Sequence, residues 1–410
     1  MDLTPLRRHR DFRLLFTAQF VSFLGSMLTF VALPYQVYQL THSSFAVGLL
    51  GAVELVPLLL TAFVGGALAD ALDRRRMVIA TDIALAGGSG MLALLALAER
   101  PPVAALYVVA GFMSAMNGLQ RPSLDSLLPR LVSKEEIPAA AALGGVRGSV
   151  GMIAGPAVAG ILLATVGLAA TYAIDALSYG FALGCFALIR AVPPAEGAER
   201  PSLAGIQQGF RYAASRQELI GTYVVDFVAM VFGMPMALFP ALAERLGGTS
   251  ALGLLYAAPA VGALFASLTS RWTPRVQRHG FAVMMAATLW GVAIVLFGFC
   301  DTLVPSLFFL ALAGGADMVS GIFRMTMWNQ TIPDTLRGRL AGIEMVSYMS
   351  GPLLGHAEAG AVAALFGVRA SVVSGGVLCV IGVLACGLLL PRFMSYDARR
   401  FAAAAPAAPR

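Results

Sequence analysis

Apolar runs about 20 residues long recur along the whole chain, and they limit its possible folds more than any other feature. Each is long enough to cross the hydrocarbon core of a bilayer as a helix. We count twelve, at about residues 14–38, 46–69, 77–98, 103–126, 139–166, 168–190, 219–243, 249–270, 280–300, 303–329, 339–366 and 368–391. Backbone polar groups cannot stay unpaired in lipid, and strand periodicity is absent. The runs therefore predict an all-α membrane protein with twelve transmembrane helices.

The composition agrees with a surface that largely faces lipid. Charged residues make up 12% of the 410 residues, and the mean hydropathy is +0.80, whereas a soluble protein of this length carries roughly a quarter charged residues. The first run follows the basic stretch "LRRHRDFR". It is too long for a signal-peptide core and lacks a small-residue cleavage site, so we expect it to be retained as a helix.

Arginine is distributed unequally between the loops. One set of loops carries the basic clusters at 7–13 and 74–76 and the basic connection at 191–217, whereas the opposite set carries only Arg100, Arg245 and Arg369. By the positive-inside rule, this predicts a cytoplasmic (inner) membrane protein with both termini in the cytoplasm. The same bias explains the basic pI, so we expect lipid headgroups and not nucleic acid beside these charges.

A long polar interval divides the chain into halves that resemble each other. "VGLLGA" at 47–52 is followed about 200 residues later by "LGLLYA" at 252–257, and Gly155-Pro156 is followed by Gly351-Pro352. This order predicts a duplicated six-helix unit, the arrangement of transporters that rock two halves about a central site. The predicted parts are an N-terminal bundle at 1–190, a cytoplasmic linker at 191–217, a C-terminal bundle at 218–391 and a cytoplasmic tail at 392–410.

Recognisable catalytic and metal-binding motifs are missing from the sequence. Lys134 is its single lysine, which excludes a Walker lysine and ATP-driven pumping by this chain. The histidines form no H-E-x-x-H pair, there is no serine nucleophile elbow, and the cysteines show no C-x-x-C spacing. We expect no enzyme activity, no metal and no cofactor. A membrane enzyme with an unfamiliar site is one alternative. A receptor or assembly factor is another, although it would leave the acidic residues inside the runs without a purpose.

The loop between the second and third runs reads "GGALADALDRRR" at 65–76. It resembles the G-x-L-A-D-R-x-G-R-R loop of the major facilitator superfamily, with matches at Gly66, Leu68, Ala69, Asp70, Arg74 and Arg75, and departures at Ala71 and Asp73. The resemblance implies a cytoplasmic gate, in which an aspartate at a helix end pairs with arginines or caps a neighbouring helix. The alternative is a charged turn that only satisfies the positive-inside rule.

The fifth run contains "GMIAGPAVAG" at 151–160. It resembles the G-x-x-x-G-P-x-x-G-G motif of the antiporter branch of that superfamily, with matches at Gly151, Gly155, Pro156 and Gly160 and a departure at Ala159. Glycines four residues apart leave a groove in which another helix can lie backbone to backbone, and proline removes one helical hydrogen bond. We expect a sliding and bending contact surface. Small-residue packing without antiport is the alternative.

Three further stretches resemble the enterobactin-exporter and macrolide-efflux branch of the superfamily: "FRLLFTAQFVSFLGSMLTFVALP" at 12–34, "IDALSY" at 174–179 and "PDTLRGRLAG" at 333–342. The resemblance implies a secondary active efflux transporter that exports an amphipathic small molecule, such as a siderophore or a drug, by alternating access and proton antiport. One departure bears on the standard proton relay, because the middle of the fourth run has no arginine and Arg121 lies further toward the cytoplasm. Uptake by the same fold is the alternative function.

Acidic residues inside the runs are candidates for proton coupling, because charges in a membrane are costly. Asp317 lies near the middle of the tenth run, with Arg324 two turns further along the same face, and Asp226 lies in the seventh run. Burial favours the protonated carboxyl and a nearby arginine favours the ionised one. An aspartate whose arginine partner comes and goes is therefore a natural proton switch, and a permanent ion pair is the alternative. The further acidic candidates are Glu54 and Asp82, followed by Asp175 and Glu344.

Aromatic and amide side chains in the runs are candidates to line a cavity for an amphipathic substrate. They are Tyr35, Gln36, Asn117, Gln120, Trp328 and Asn329. The expected partners are therefore the lipid bilayer, a small-molecule substrate and protons, and we expect a monomer.

Overall fold

The computed structural model describes residues 2–190 and 210–399, except for the side chains of residues 63, 66–67, 69–71, 334–335, 337–339 and 341–347. All regular elements within these residues are helical. The long helices are α1 (Arg10–Thr41), α2 (Ser44–Ala71), α3 (Arg74–Leu97), α4 (Val103–Leu131), α5 (Ile137–Thr165), α6 (Gly167–Leu188), α7 (Gln217–Phe232), α8 (Phe239–Leu246), α9 (Gly248–Leu268), α10 (His279–Gly298), α11 (Leu303–Thr331), α12 (Asp334–Phe366) and α13 (Val368–Leu389).

Eleven helical stretches of the described chain are long and apolar enough to cross a membrane. One of them, Gln217–Leu246, runs through α7, a 3-10 turn and α8. The helix α12 is 33 residues long and covers the eleventh predicted run, although several of its side chains lie outside the described residues. A helical stretch therefore lies at each of the twelve positions predicted from the sequence.

The seventh span is broken, which the sequence analysis did not anticipate. α7 ends at Phe232, Gly233 caps it, and a 3-10 turn at Pro235–Leu238 leads into α8. Proline has no N–H to donate, so the helix cannot continue unchanged through Pro235. The Nε1–H of Trp290 donates to the carbonyl of Gly233 at 3.1 Å, which satisfies one of the backbone groups released by the break.

The chain forms two compact units. The first contains Met1–Pro201 and Phe239–Ala257, and the second contains Ser202–Leu238 and Ala258–Arg410. The segment Phe239–Ala257 belongs to the second half by sequence and to the first unit by structure. Residues 191–209 of the predicted linker and 400–410 of the predicted tail lie outside the described residues.

In the first unit, α2 and α4 approach each other backbone to backbone. A Cβ atom on Gly65 would lie 2.8 Å from the carbonyl oxygen of Gly118, and one on Gly118 would lie 2.8 Å from the carbonyl oxygen of Leu58. Small residues allow such close approach in membranes, where van der Waals packing replaces the hydrophobic effect as the force between helices. A cluster of buried apolar side chains joins α1, α3, α4 and α6. It consists of Leu15, Ala18, Val78, Leu127, Ala182 and Phe186, together with Ile189, which directly follows α6.

The second unit repeats this contact between α9 and α11. A Cβ atom on Gly262 would meet the backbone of Ala311, and one on Gly314 would meet the backbone of Pro259. Gly262 and Gly314 follow Gly65 and Gly118 by about 200 residues, which is the offset of the sequence repeat. The same close helix pair is therefore built twice from related positions in the two halves.

Candidate functional site

Three charged side chains meet inside the second unit, and we call them the α7–α11 triad. Asp226 lies on α7, whereas Asp317 and Arg324 lie on α11. Nη1 of Arg324 contacts Oδ1 of Asp226, and Nη2 of Arg324 lies 3.5 Å from Oδ1 of Asp317. The predicted seven-residue spacing of Asp317 and Arg324 places both on one face of α11. Asp226 reaches the same guanidinium from the neighbouring helix.

The three groups differ in their access to solvent. The side chains of Asp226 and Arg324 are 12% and 11% exposed, whereas that of Asp317 is 42% exposed. Gly321 lies beside the guanidinium, where a Cβ atom would be in ordinary van der Waals contact with Nη2 of Arg324 at 3.9 Å. The carboxyl of Asp226 is thus enclosed with the arginine, and that of Asp317 is more exposed.

Aromatic and hydroxyl contacts hold α7 against α11 at a distance of one helical turn from the triad. The Nε1–H of Trp328 donates to the hydroxyl of Thr222 at 2.8 Å, and the rings of Tyr223 and Trp328 stack with centroids 5.4 Å apart. A shift of α7 against α11 that changes the distance between Asp226 and Arg324 therefore has to exchange these contacts.

The triad has the chemistry to bind a proton or another cation. One guanidinium faces two carboxyl groups, so the cluster carries one excess negative charge when both are ionised. Such a cluster inside a membrane favours either a proton or another cation on the less well paired carboxyl. Asp317 is that carboxyl, because its contact with Arg324 is the longer one and its side chain is the more exposed.

The acidic candidates of the first unit are held differently. Asp82 on α3 is 2% exposed and accepts a hydrogen bond from Nε2 of Gln120 on α4. Its Oδ2 atom is buried and has no hydrogen-bond partner among the described residues. Glu54 on α2 is half-buried and lies within electrostatic range of Tyr256. Among the described side chains, Glu54 and Asp82 do not share a cluster with an arginine.

Asp175 on α6 is fully buried within a set of hydroxyl groups. It accepts hydrogen bonds from Thr29 at 2.5 Å, from Ser89 at 2.7 Å and from Ser178 at 3.5 Å. These donors lie on α1, α3 and α6, so the carboxyl ties three helices together. The sequence marks this aspartate as an acid in a span, but its donors are serines and threonines far apart in the chain, which no local motif reveals.

Three of the six predicted cavity residues lie in helix contacts. Gln36 is buried and accepts a hydrogen bond from the hydroxyl of Tyr172 at 2.9 Å. Gln120 and Trp328 are also buried, against Asp82 and Thr222 respectively. Their polar groups are satisfied by neighbouring helices in this conformation.

The other three predicted cavity residues are more accessible. Tyr35 is half-buried and lies within electrostatic range of Glu244. Asn117 and Asn329 are exposed, and the side-chain amide of Asn117 donates to the carbonyl of Met113 at 3.0 Å. Their role toward a substrate stays a prediction.

The predicted gate loop contains one arginine with a clear structural role. The Nε–H of Arg75 donates to the carbonyl of Phe186 at 2.8 Å, and Nη2 donates to that of Ala187 at 2.6 Å. It thereby satisfies carbonyl groups at the C-terminus of α6, where a positive charge is also favourable. Asp73 caps α3 by accepting from the backbone N–H of Arg76, which gives this departure from the motif a local function. Arg74 is buried.

Two residues of the predicted gate lie outside the described side chains. Gly66 and Asp70 belong to the helix α2, but the structure describes only their backbone. The side chain of Glu344 on α12 is likewise not described. The predicted role of Asp70 in a gate therefore stays a prediction.

The glycine-rich stretch of α5 faces two other segments of the first unit. Cβ atoms on Gly151 and Gly155 would meet the side chains of Phe23 and Met27 on α1. A Cβ atom on Gly160 would lie 2.9 Å from Cα of Gly253 on α9. The stretch is thus a close-contact surface on both sides, while its predicted link to antiport stays a prediction.

Comparison with known proteins gives the chain a family. The family model described as transmembrane secretion effector matches residues 1–406. A curated protein named enterobactin exporter EntS from Shigella boydii serotype 18 is 29% identical over 386 residues, which cover 94% of this chain and 93% of that protein. The protein of the same name from Escherichia coli O81 matches with the same identity and coverage.

Solved structures share the fold over nearly the whole chain. A POT family transporter in complex with 5-aminolevulinic acid superposes with a TM-score of 0.76 at 11% identity, covering 94% of this chain and 97% of the other. A variant of the nucleoside transporter NupG gives a TM-score of 0.76 at 14% identity, covering 92% and 99%. These likenesses confirm the predicted fold class, and the family match confirms a transporter rather than an enzyme. The chain belongs to the transmembrane secretion effector family, within the major facilitator superfamily of membrane transporters.

Proposed function

We propose that this protein is a proton-coupled efflux transporter of the inner membrane that exports an amphipathic small molecule of the siderophore or drug class. The relatives named enterobactin exporter support export and a siderophore-like substrate. The distribution of arginine between the loops supports an orientation with both termini in the cytoplasm. In this proposal transport proceeds by alternating access, with the loop at 65–76 as part of a cytoplasmic gate, and the proton gradient replaces any cofactor.

One observation carries the coupling proposal: Arg324 contacts both Asp226 and Asp317 inside the second unit. A guanidinium shared by two carboxyl groups on two helices can pair more strongly with one or the other as the helices shift. Protonation of the released carboxyl then removes the excess negative charge. Movement of α7 against α11 would in this way be linked to the uptake or release of a proton.

The test is substrate transport in proteoliposomes with an imposed pH gradient, over a panel that includes enterobactin and a macrolide. We expect the wild-type protein to move one of these compounds against its concentration gradient, with protons moving in the opposite direction. Substrate and protons moving in the same direction would contradict export and support uptake instead. An unchanged substrate distribution across the whole panel would contradict both substrate classes.

The coupling residues are tested with Asp317→Asn and Asp226→Asn. We expect either change to abolish gradient-driven accumulation but to leave substrate affinity within about tenfold, because one neutralised carboxyl removes a proton carrier and leaves the rest of the protein unchanged. Glu99→Gln is the matched control, since Glu99 is an exposed loop acid and its loss should not affect coupling. Full accumulation by both aspartate variants would place the proton carrier elsewhere, with Glu54 the next candidate.

The gate is tested with Asp70→Asn. Loss of an ion pair or cap at a helix end is worth about 1–3 kcal/mol, so the ratio of conformations should shift toward the cytoplasm-open state by about five- to a hundredfold. Distances between spin labels at the cytoplasmic ends of α2 and α12 measure the shift. An unchanged distance distribution would make Asp70 a topology charge only.

A further inference from the structure

Two arginines inside the first unit are used by none of the contacts described above. Arg121 lies on α4 and Arg147 on α5, each about four residues from the midpoint of its helix toward the end that joins the other. At 1.5 Å per residue, each Cα atom lies about 6 Å from the middle of its helix. Neither guanidinium makes a hydrogen bond or an ion pair with another residue of the described chain, and Nε of Arg147 is buried without a partner there.

The position of Arg121 around α4 separates it from the apolar outer surface. In the first half of α4, exposed positions are apolar, as at Val108 and Phe112. In the second half, Asn117, Arg121 and Asp125 are exposed at intervals of one turn, and Pro129 and Arg130 are exposed at the end of the helix. Asn117 follows Phe112 by five residues, which at about 100° per residue places it about 140° further around the helix axis. The exposed face of α4 therefore changes at this point. This polar stripe therefore faces a different environment from the apolar one, as expected for charges that avoid lipid.

Arg147 lies on the protein-facing side of α5, with open space beside it. It falls one turn after Leu143 and one turn before Gly151, both of which are buried. Cβ atoms built on Gly144 and Gly148 would have no neighbouring atom within 4 Å. The guanidinium is thus partly enclosed at Nε, while the adjoining surface of α5 leaves room for another group.

Among the described side chains, the charges around Arg121 and Arg147 do not balance. Asp125 lies within electrostatic range of both arginines. Two guanidinium groups and one carboxylate leave one excess positive charge in this described set, at membrane depth, where an uncompensated charge is costly and marks a substrate path. An anion placed beside the pair would remove the excess.

We propose that Arg121 and Arg147 form a binding subsite for an acidic oxygen group of the exported substrate, such as a carboxylate or an ionised phenol. The guanidinium fork suits this class of group because it donates parallel hydrogen bonds to a pair of oxygens. Asp125 is the internal counter-charge, within electrostatic range of both arginines but not ion-paired with either among the described residues. This assignment rests on the proposed function of substrate export and names the chemical class of the substrate.

The test compares two probes that differ in charge, salicylate and the neutral salicylamide. Their affinities are measured by calorimetry on the full-length protein in nanodiscs of phosphatidylcholine, with no ion gradient. We expect the wild-type protein to prefer salicylate. Arg121→Gln and Arg147→Gln should each weaken salicylate binding about tenfold or more, the effect of losing one charge-assisted hydrogen bond, with salicylamide within about twofold. Arg100→Gln is the matched control, because Arg100 is exposed in a loop.

Asp125→Asn is the sharper test, because we expect it to change salicylate affinity in the opposite direction from the two arginine variants. Removing the internal counter-charge should tighten salicylate binding, whereas loss of a structural ion pair would weaken it. Weaker binding by this variant, salicylate affinity unchanged by both arginine variants, or equal affinity of the wild-type protein for both probes would overturn the proposal. Loss of salicylate binding in nanodiscs that contain phosphatidylglycerol would also overturn it, by identifying a lipid headgroup as the occupant. No proton gradient enters these measurements, so a failure of the coupling proposal leaves their result intact.

Discussion

The two units hold carboxyl groups inside the membrane by different means. In the second unit, Arg324 contacts both Asp226 and Asp317 across α7 and α11. In the first unit, Asp175 is held by hydroxyl groups and Asp82 by an amide. The second unit shares one cation between two acids, whereas the first unit gives Asp175 and Asp82 neutral donors.

This difference indicates which unit changes during transport. A guanidinium can exchange one carboxylate for another with little loss, because either partner satisfies its charge. The hydroxyl donors around Asp175 come from three helices, and separating any of them leaves a buried polar group unsatisfied, at a cost of about 1–3 kcal/mol. We therefore expect the triad to be the adjustable part and the Asp175 contacts to keep the first unit rigid.

The largest expected effect is that of Arg324→Gln. Removing the shared cation leaves two carboxyl groups of the second unit without their partner, and breaking a buried ion pair in this way costs about 3–5 kcal/mol. We expect transport in proteoliposomes to be lost and the melting temperature in detergent to fall. The matched control is Arg369→Gln, which breaks the exposed pair of Arg369 with Asp301 and should cost less than about 1 kcal/mol. Wild-type transport by Arg324→Gln would remove the contrast between the units.

The second largest expected effect is that of Asp175→Ala, which tests whether the Asp175 contacts keep the first unit rigid. It leaves the hydroxyl groups of Thr29 and Ser89 without their acceptor, at about 1–3 kcal/mol for each buried group. We expect a lower melting temperature, while the number of protons exchanged per substrate stays unchanged. Asp175→Asn retains one acceptor oxygen and should be milder. If Asp175→Ala kept the wild-type melting temperature but lost proton coupling, Asp175 would take part in coupling and not only in structure.

The third prediction concerns packing in the rigid unit. Gly155→Leu places a four-carbon side chain against Met27 on α1, and overpacking of this kind costs about 1–3 kcal/mol. We expect expression and monodispersity to survive while the rate of transport collapses, and Gly155→Ala to be much milder. Gly184→Leu is the control, because the space beside Gly184 is open within 4 Å. Transport at the wild-type rate by Gly155→Leu would mean that α1 and α5 need no close contact.

The smallest expected effect is that of Arg75→Gln. The change removes the two hydrogen bonds to the end of α6, and we expect a loss of about 1 kcal/mol because the arginine is partly exposed and water replaces its donors. The melting temperature measures this loss, and transport should stay near the wild-type rate. Strongly reduced transport with unchanged stability would show that Arg75 serves the gate rather than the helix end.

The sequence predicted those parts of the site that depend on one helix. The spacing of Asp317 and Arg324 places them on one face of α11 by helical geometry alone. That Asp226 joins the same guanidinium depends on how α7 packs against α11, and the sequence carries no local signal for it. Asp226 was a candidate because it is an acid inside a span, not because a partner was foreseen.

The predicted cavity residues show what residue type alone cannot predict. An amide or aromatic group in a span can satisfy its polar atoms toward a cavity or toward a neighbouring helix, and residue type does not distinguish these cases. Gln36 and Gln120 therefore appear in the sequence as cavity candidates, although Tyr172 and Asp82 occupy their polar groups. The break at Gly233 was missed for a related reason, since glycine and proline are also common in unbroken membrane helices.

The place of Phe239–Ala257 in the first unit has a consequence for how the protein is made. The ribosome delivers the first six helices to the membrane well before this segment is synthesised, yet Gly160 on α5 meets Gly253 within it. Until the segment arrives, the nascent N-terminal half presents an uncovered small-residue groove to lipid and to the insertion machinery. We therefore expect a chain that terminates between the two halves to fold incompletely and to be degraded by membrane proteases. Co-expression of the missing half as a separate polypeptide should protect it.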